Sequence, residues 1–372
     1  MVMADLFEVV DALGPVKVVH VCEPSIGLRA VLVVDNVARG PAVGGLRMAA
    51  DVSVEECMRL ARAMTLKNSA AGLAHGGGKS VLWGDPGMPR DNKERLIRAF
   101  AHALRHEQDY IFGPDMGTDE SCMAWIKDEI GRSVGLPAAL GGIPLDEIGA
   151  TGWGLSHAAD VAAHHCGLTL DGARMVIQGF GAVGKQTARF LQQRGVRLIA
   201  ASDTGGTVHD PAGLDVTQLI ELKRVGKSVR DYHAGEKLDR DAVIDIECEI
   251  WVPAARPDVI REDNVGRLRT KLVLEGANIP CSPGAAQALH ERGVLVVPDF
   301  IANAGGVICA AMEYRGATES QAFQAIEEKI RANVNAVLSD AAAARTPPRH
   351  AAMRLAAARV EEAMGYRRFR LM

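Results

Sequence analysis

Gly179-Phe180-Gly181-Ala182-Val183-Gly184 places three glycines at the spacing G-x-G-x-x-G. Glycines alone are common turn residues. This run, however, follows a short strand-like stretch, Arg174-Met175-Val176-Ile177-Gln178, and opens a helix-like one from Lys185 to Arg194. In such a strand–turn–helix the first glycine permits the tight turn and the second lets backbone approach a pyrophosphate. The third brings the helix close to the strand, and the helix N-terminus faces the negative charge. Asp203 stands about 20 residues further on, at the end of the next strand, where an acid hydrogen-bonds the adenosine ribose hydroxyls. Asp203-Thr204-Gly205-Gly206 is also a good turn, so a plain loop acid is the alternative. The chemistry expected is that of a nicotinamide dinucleotide. Asp203 favours NAD, and NADP stays open if a Lys or Arg elsewhere holds a 2′-phosphate.

A second constellation precedes this loop. Gly40-Pro41-Ala42-Val43-Gly44-Gly45-Leu46-Arg47 and His75-Gly76-Gly77-Gly78-Lys79-Ser80 are both glycine-rich. Met64-Thr65-Leu66-Lys67-Asn68 lies between them, and Gly113-Pro114-Asp115-Met116-Gly117-Thr118 follows. Lysines in apolar surroundings need a partner. Exposed glycine loops would account for any one of these segments, but the set in one chain is more specific.

The elements that must position these groups follow from pattern. Val16 to Val21 and Leu28 to Val34 read as strands, rich in β-branched residues. Ser53 reads as a helix N-cap with Glu56 as its capping-box partner, and Asp91 opens another helix. Gly135-Leu136-Pro137 and Gly141-Gly142-Ile143-Pro144 are breakers that mark a hinge region. Beyond them strands and helices alternate, which predicts a mostly parallel, doubly wound sheet of Rossmann type. The fold expected is α/β: a first domain over residues 1–140, a dinucleotide domain over 141–334, and C-terminal helices over about 335–372 that return to the first.

Composition excludes several classes. The formal net charge is −4, against a nucleic-acid surface spread over the whole protein. No apolar run is long enough to span a membrane. Met1 to Glu8 is acidic where a secretory leader would be basic and then apolar, so a cytoplasmic location is expected. The seven cysteines are scattered without a C-x-x-C pair, against a disulfide framework or a zinc site. His102 and His106 sit at helical spacing but lack a third ligand, so no metal is expected. Glycine, 39 of 372 residues, is the compositional outlier, and close approach of backbone to ligands is the reading taken.

Taken together, these motifs resemble those of the glutamate/leucine/phenylalanine/valine dehydrogenases, NAD(P)-dependent amino-acid dehydrogenases. The resemblance continues through Pro253-Ala254-Ala255, Glu275-Gly276-Ala277-Asn278 and Pro298-Asp299-Phe300-Ile301-Ala302-Asn303-Ala304-Gly305-Gly306-Val307. It implies oxidative deamination of an L-amino acid to the 2-oxo acid and ammonia, in a cleft between two domains. By motif, Lys67 resembles the lysine that binds the substrate α-carboxylate, helped by backbone around Gly44 and Gly45. Lys79 resembles the catalytic lysine and Asp115 the acid that works with it. Thr151 and Asn303 resemble contacts to the nicotinamide carboxamide side, and Asn278 a contact near its ribose. A lysine can activate water near neutral pH if burial and a second cation, here Lys67, lower its pKa. The resemblance also implies a homo-oligomer, a hexamer or octamer.

The substrate side chain divides the family. Glutamate enzymes carry a lysine just before the Gly-Gly-x-Arg segment and a serine shortly after Asn-Ala-Gly-Gly-Val. Val43 and Ala310 stand there in this chain. With Gly113 and Val307 they make an apolar pocket, so a branched-chain or aromatic amino acid is expected. Glutamate is the alternative, because Glu147 to Gly152 and Asp203 to Gly206 look more like the glutamate branch. A catalytically inactive, cofactor-binding regulatory subunit is the alternative from another class. Retention of Lys67, Lys79 and Asp115 argues against it.

Overall fold

Five strands form the first sheet: β1 (Lys17–Glu23), β2 (Leu28–Asn36), β3 (Ala42–Ala49), β4 (Gly76–Trp83) and β5 (Tyr110–Pro114). Their order is β1-β2-β4-β3-β5. β2 pairs antiparallel with β1 and β4, and β3 runs parallel to β4 and β5. The computed structural model describes residues 9–371. The acidic start used above to argue against a leader lies outside them.

Side chains alternate across this sheet as the two-residue strand period requires. Ala30, Leu32 and Val34 pack with Leu46, Leu82 and Phe112 on one face. Helices α2 (Arg90–Ala103) and α3 (Glu120–Ile130) close that face through Phe100 and Trp125. Val31, Val33 and Val81 point the other way, against Cys57 and Ala61 of α1 (Val54–Ala70). Ser53 Oγ accepts the Glu56 N–H at 3.0 Å, as an N-cap should. The Glu56 carboxylate does not close the capping box expected of it. It pairs with Arg47, a charged partner that competes better than a neutral backbone N–H.

The glycine-rich segments of the first half are largely strand, not loop. A Cβ on Gly77 would collide with the Thr65 backbone of α1, so the glycine is what lets α1 lie directly on β4. On the opposite face, a Cβ on Gly78 would meet the Tyr110 ring at 2.9 Å. Much of the glycine excess here serves approach of the chain to itself.

The second unit holds α4 (Leu145–Ile148), α5 (Ala150–His165), α6 (Ala182–Gln192), α7 (Val216–Arg224), α8 (Pro283–Glu291) and α9 (Asp299–Ala302). Its seven strands are β6 (Arg174–Gln178), β7 (Arg197–Asp203), β8 (Gly206–His209), β9 (Glu236–Leu238), β10 (Ile250–Pro253), β11 (Leu272–Leu274) and β12 (Leu295–Val297). The order is β12-β11-β10-β6-β7-β8-β9. The run from β12 to β7 is parallel, and β8 and β9 add an antiparallel edge. This is the doubly wound sheet expected, with β6 at the point where strand order reverses.

The chain then continues through α10 (Gly305–Tyr314), α11 (Glu319–Ala344) and α12 (Pro348–Gly365). The first unit ends at Pro144 and regains Ala310–Ala322 and the chain from Arg354, while Leu145–Cys309 and Phe323–Met353 form the second. The return is thus in two pieces instead of the single one expected from about 335. Local bonding explains this. The buried Glu313 carboxylate accepts N–H bonds from Gly135, Leu136 and Ile143 at 2.8, 3.1 and 3.0 Å. It thereby fixes the breaker-rich stretch read above as a hinge. Ser69 Oγ donates to the Ala356 carbonyl at 2.8 Å. Trp153 Nε1 donates to the Phe323 carbonyl at 3.1 Å in the second unit.

Candidate active site

In the first unit the register of three strands gathers the predicted lysine and acid. Val43 lies opposite Gly77, Arg47 opposite Val81, and Gly45 opposite Gly113. Strand alternation then puts Val43, Gly45 and Arg47 of β3 on the same face as Gly77 and Lys79 of β4 and Gly113 of β5. Lys79 points the same way as Val81, toward α1. Asp115, just past β5, closes the row: its carboxylate contacts the Lys79 ammonium. Arg47 Nη2 reaches Asp115 Oδ1 at 3.3 Å. A Cβ on Gly45 would stand 2.8 Å from the Asp115 Cβ, so that glycine makes room for the acid. Asp115 is further fixed from behind, where its N–H donates to Thr118 Oγ1 at 3.0 Å and that hydroxyl donates to the Leu46 carbonyl.

Lys79 is 5% exposed. Burial is the main cause that brings its amine down from the ordinary lysine range to about 7, followed by the Arg47 guanidinium. Lys67, near the end of α1, acts in the same direction, and Cys57 and Glu56 act against it. The second cation inferred from sequence was Lys67 alone. Arg47 is the larger neighbour, and sequence reading passed over it as part of a glycine segment. An amine that titrates near pH 7 beside a carboxylate can take and return a proton in this range. Below it, Tyr110 Oη donates to the Gly44 carbonyl at 2.7 Å and lies 3.2 Å from Ser80 Oγ, which fixes the strand that carries the row.

Val43 and Gly113 thus share one face of the first unit, and Ala310 belongs to that unit also, whereas Val307 belongs to the second.

In the second unit each loop glycine has a distinct setting. Gly179 has φ of +99° and sits against Ala255, which only a glycine turn permits. A Cβ on Gly184 would crowd the Gly179 carbonyl and Ile177, so the third glycine seats α6 on β6. A Cβ on Gly181 would meet nothing of the chain within 4 Å. Close packing within the protein therefore does not explain Gly181, and the space beside it is open. Phe180 is buried beneath the loop, and Ala182 and Val183 open α6.

Asn278 and Asn303 are also brought together, and Thr151 lies against Gly306. A Cβ on Gly306 would lie 3.3 Å from Thr151 Oγ1. Asn303 Nδ2 donates to Asn278 Oδ1 at 3.0 Å and to the Gly276 carbonyl at 3.3 Å. Asn303 Oδ1 is buried with no donor among the described residues, an acceptor suited to a carboxamide N–H. Sequence reading missed what holds this corner. Arg349 Nη2 reaches Glu275 Oε2 at 3.0 Å and Asp299 Oδ1 at 2.6 Å. Asp299 Oδ2 in turn accepts the Ile279 N–H at 2.8 Å, next to Asn278.

Residues 16–132 match the family described as "Glu/Leu/Phe/Val dehydrogenase, dimerisation domain", and residues 141–368 match "Glutamate/Leucine/Phenylalanine/Valine dehydrogenase". The chain belongs to the Glu/Leu/Phe/Val dehydrogenase family. Its members are NAD(P)-dependent amino-acid dehydrogenases, oxidoreductases of the class expected above. The chain is 39% identical over 325 residues to an NADP(+)-dependent glutamate dehydrogenase of Pyrobaculum calidifontis, covering 82% of this chain and 76% of that one. It is 35% identical to a glutamate dehydrogenase of Aeropyrum pernix, over 82% and 77%. A hetero-hexameric glutamate dehydrogenase of Thermus thermophilus, solved in a Leu-bound form, superposes with a TM-score of 0.81 at 30% identity, covering 94% and 89%. Among the described residues no helix is long and apolar enough to cross a membrane, and no group of His, Cys, Asp and Glu is placed to hold a metal ion.

Proposed function

We propose that this dehydrogenase oxidatively deaminates a hydrophobic L-amino acid, branched-chain or aromatic, to its 2-oxo acid and ammonia. The observation that carries the chemistry is the buried Lys79 amine, brought down to about 7 and in contact with Asp115. Lys67 binds the substrate α-carboxylate with help from backbone at Gly44 and Gly45. When bound, a nicotinamide dinucleotide would supply the acceptor for the hydride that leaves the substrate Cα, the amine nitrogen's lone pair closing the iminium. Lys79 Nζ takes a proton from the water that attacks that carbon, and the Asp115 carboxylate moves protons on and off the departing amine. Thr151, Asn278 and Asn303 orient the nicotinamide end. The Gly179–Gly184 loop holds the pyrophosphate, with Asp203 at the adenosine end.

The substrate class rests on Val43 and Ala310, which replace the lysine and serine of glutamate enzymes. A glutamate side chain would bury a carboxylate without partners, at a cost of several kcal/mol, or at least about a hundredfold in affinity. Gly113 adds to this. A Cβ there would meet Val134 at 3.5 Å, an ordinary contact, so the chain's own packing does not require the glycine. Gly113→Ala is therefore expected to leave Tm unchanged or slightly raised. It should reduce kcat/KM for phenylalanine about tenfold more than for valine, the scale of one methyl in an apolar pocket. Equal losses for both would remove Gly113 from the pocket. Glutamate remains the second reading, favoured by the names of the relatives at 35–39% identity. The match of residues 16–132 to a dimerisation domain supports a homo-oligomer.

A further inference from the structure

The cavity beside the glycine loop, about 500 Å³, is lined by Gly181 and also by Asp203, Lys223, Arg240 and Arg256. Among the described residues Asp203 is the sole carboxylate of this lining, and it is fully engaged by the chain. Its Oδ1 accepts the Gly205 N–H at 2.9 Å and the Ser228 hydroxyl at 2.7 Å. Its Oδ2 accepts the Lys223 ammonium at 2.6 Å and the Val229 N–H at 3.0 Å. A carboxylate offers about four acceptor positions. A ribose hydroxyl could bond to Asp203 only by displacing one of these donors.

The cations are less committed. Arg256 is exposed and has no hydrogen bond or ion pair among the described residues. Among the described residues the Arg240 side chain pairs only with its exposed neighbour Asp241, at 3.0 Å. Lys223 spends one of its three donors on Asp203.

We propose that Lys223, Arg240 and Arg256 make this chain select the 2′-phosphorylated dinucleotide, NADP, over NAD, with Asp203 anchoring Lys223 and the turn at 228–231. The assignment rests on the dinucleotide reading of the loop above. A 2′-phosphate brings close to two negative charges and three strong acceptors to this rim, and an arginine fork matches them bidentately. NAD presents a neutral hydroxyl to the same cations and must compete for a saturated acid. Because the rim is exposed, the preference should weaken as salt rises.

Calorimetric titration of the whole protein with NADP+ and with NAD+, in the absence of substrate, tests this. NADP+ is expected to bind at least about tenfold more tightly, the equivalent of one charge-assisted hydrogen bond. The double variant Arg240→Gln, Arg256→Gln should lose most of that advantage while the NAD+ Kd moves less than about twofold. Equal or tighter binding of NAD+ by the unaltered protein would overturn the assignment, as would equal losses for both dinucleotides in the variant. If neither dinucleotide binds, the dehydrogenase reading of this loop falls, and the assignment with it.

Discussion

Lys79→Ala is expected to lower kcat by about 10²–10⁴-fold, the usual contribution of a positioned acid–base group. Dinucleotide binding should be unchanged, because every loop and corner contact assigned to it lies in the second unit. The pH profile carries a sharper signature. The neutral amine is the active form, so kcat/KM should rise with pH through about 7 and then level off, as burial and Arg47 hold Lys79 there. Arg47→Met removes the cation with the larger effect on Lys79. The amine then keeps its proton to higher pH, and the rising limb should shift upward, with activity lost near pH 7 recovered toward pH 9. Lys67→Met should move the limb in the same direction and also raise KM, because Lys67 is assigned to the substrate carboxylate. Near-normal kcat in Lys79→Ala would remove this lysine from the chemistry. A pH profile unmoved by Arg47→Met would leave Arg47 with only a structural part.

Arg349→Met is expected to destabilise the second unit by about 3–5 kcal/mol, since it strands the buried Glu275 and Asp299 carboxylates without their counter-ion. In thermal unfolding this corresponds to a fall in Tm on the order of 10 °C. The sign of its pH dependence follows from Glu275. Burial raises its carboxyl to about 7, with Arg349 opposing and Asp299 adding to the rise. A carboxyl whose folded value lies above its unfolded one favours the fold below the unfolded value and loses that contribution as pH rises through the folded one. Without Arg349 the loss is larger, so the deficit should be smaller at pH 5 than at pH 8. A variant with unchanged Tm at both pH values would show that the triad does not hold this corner.

The strand–turn–helix over Gly179–Gly184 was legible in sequence because each glycine's setting is local. The turn, the open face and the helix seat are set within six residues. Lys67, Lys79 and Asp115 were legible only as a set. What tunes Lys79 was not, because Arg47 reaches Asp115 through the pairing of β3 with β5, which no local pattern reveals. The glycine segments hid two strands, since a residue without a side chain shows no alternation and glycine is scarce in strands. Gly77 and Gly78 are tolerated there because α1 and Tyr110 fill the space of their missing side chains. Arg349 lies 74 positions from Glu275, on a helix after a Pro-Pro break, and nothing nearby marks it as the counter-ion. Glu313 escaped for the same reason: its three backbone partners lie far upstream in the chain.

Steady-state kcat/KM for leucine, valine, phenylalanine and glutamate, each with NAD+ and NADP+, tests the central claim most directly. The expected result is turnover of at least one hydrophobic amino acid at about a hundredfold or more above glutamate, as an unpartnered buried carboxylate requires. A clear preference for glutamate would contradict the proposal that Val43, Gly113 and Ala310 line an apolar side-chain pocket. No turnover of any of the four, in a protein that binds the dinucleotide, would contradict the catalytic assignment of Lys79 and Asp115.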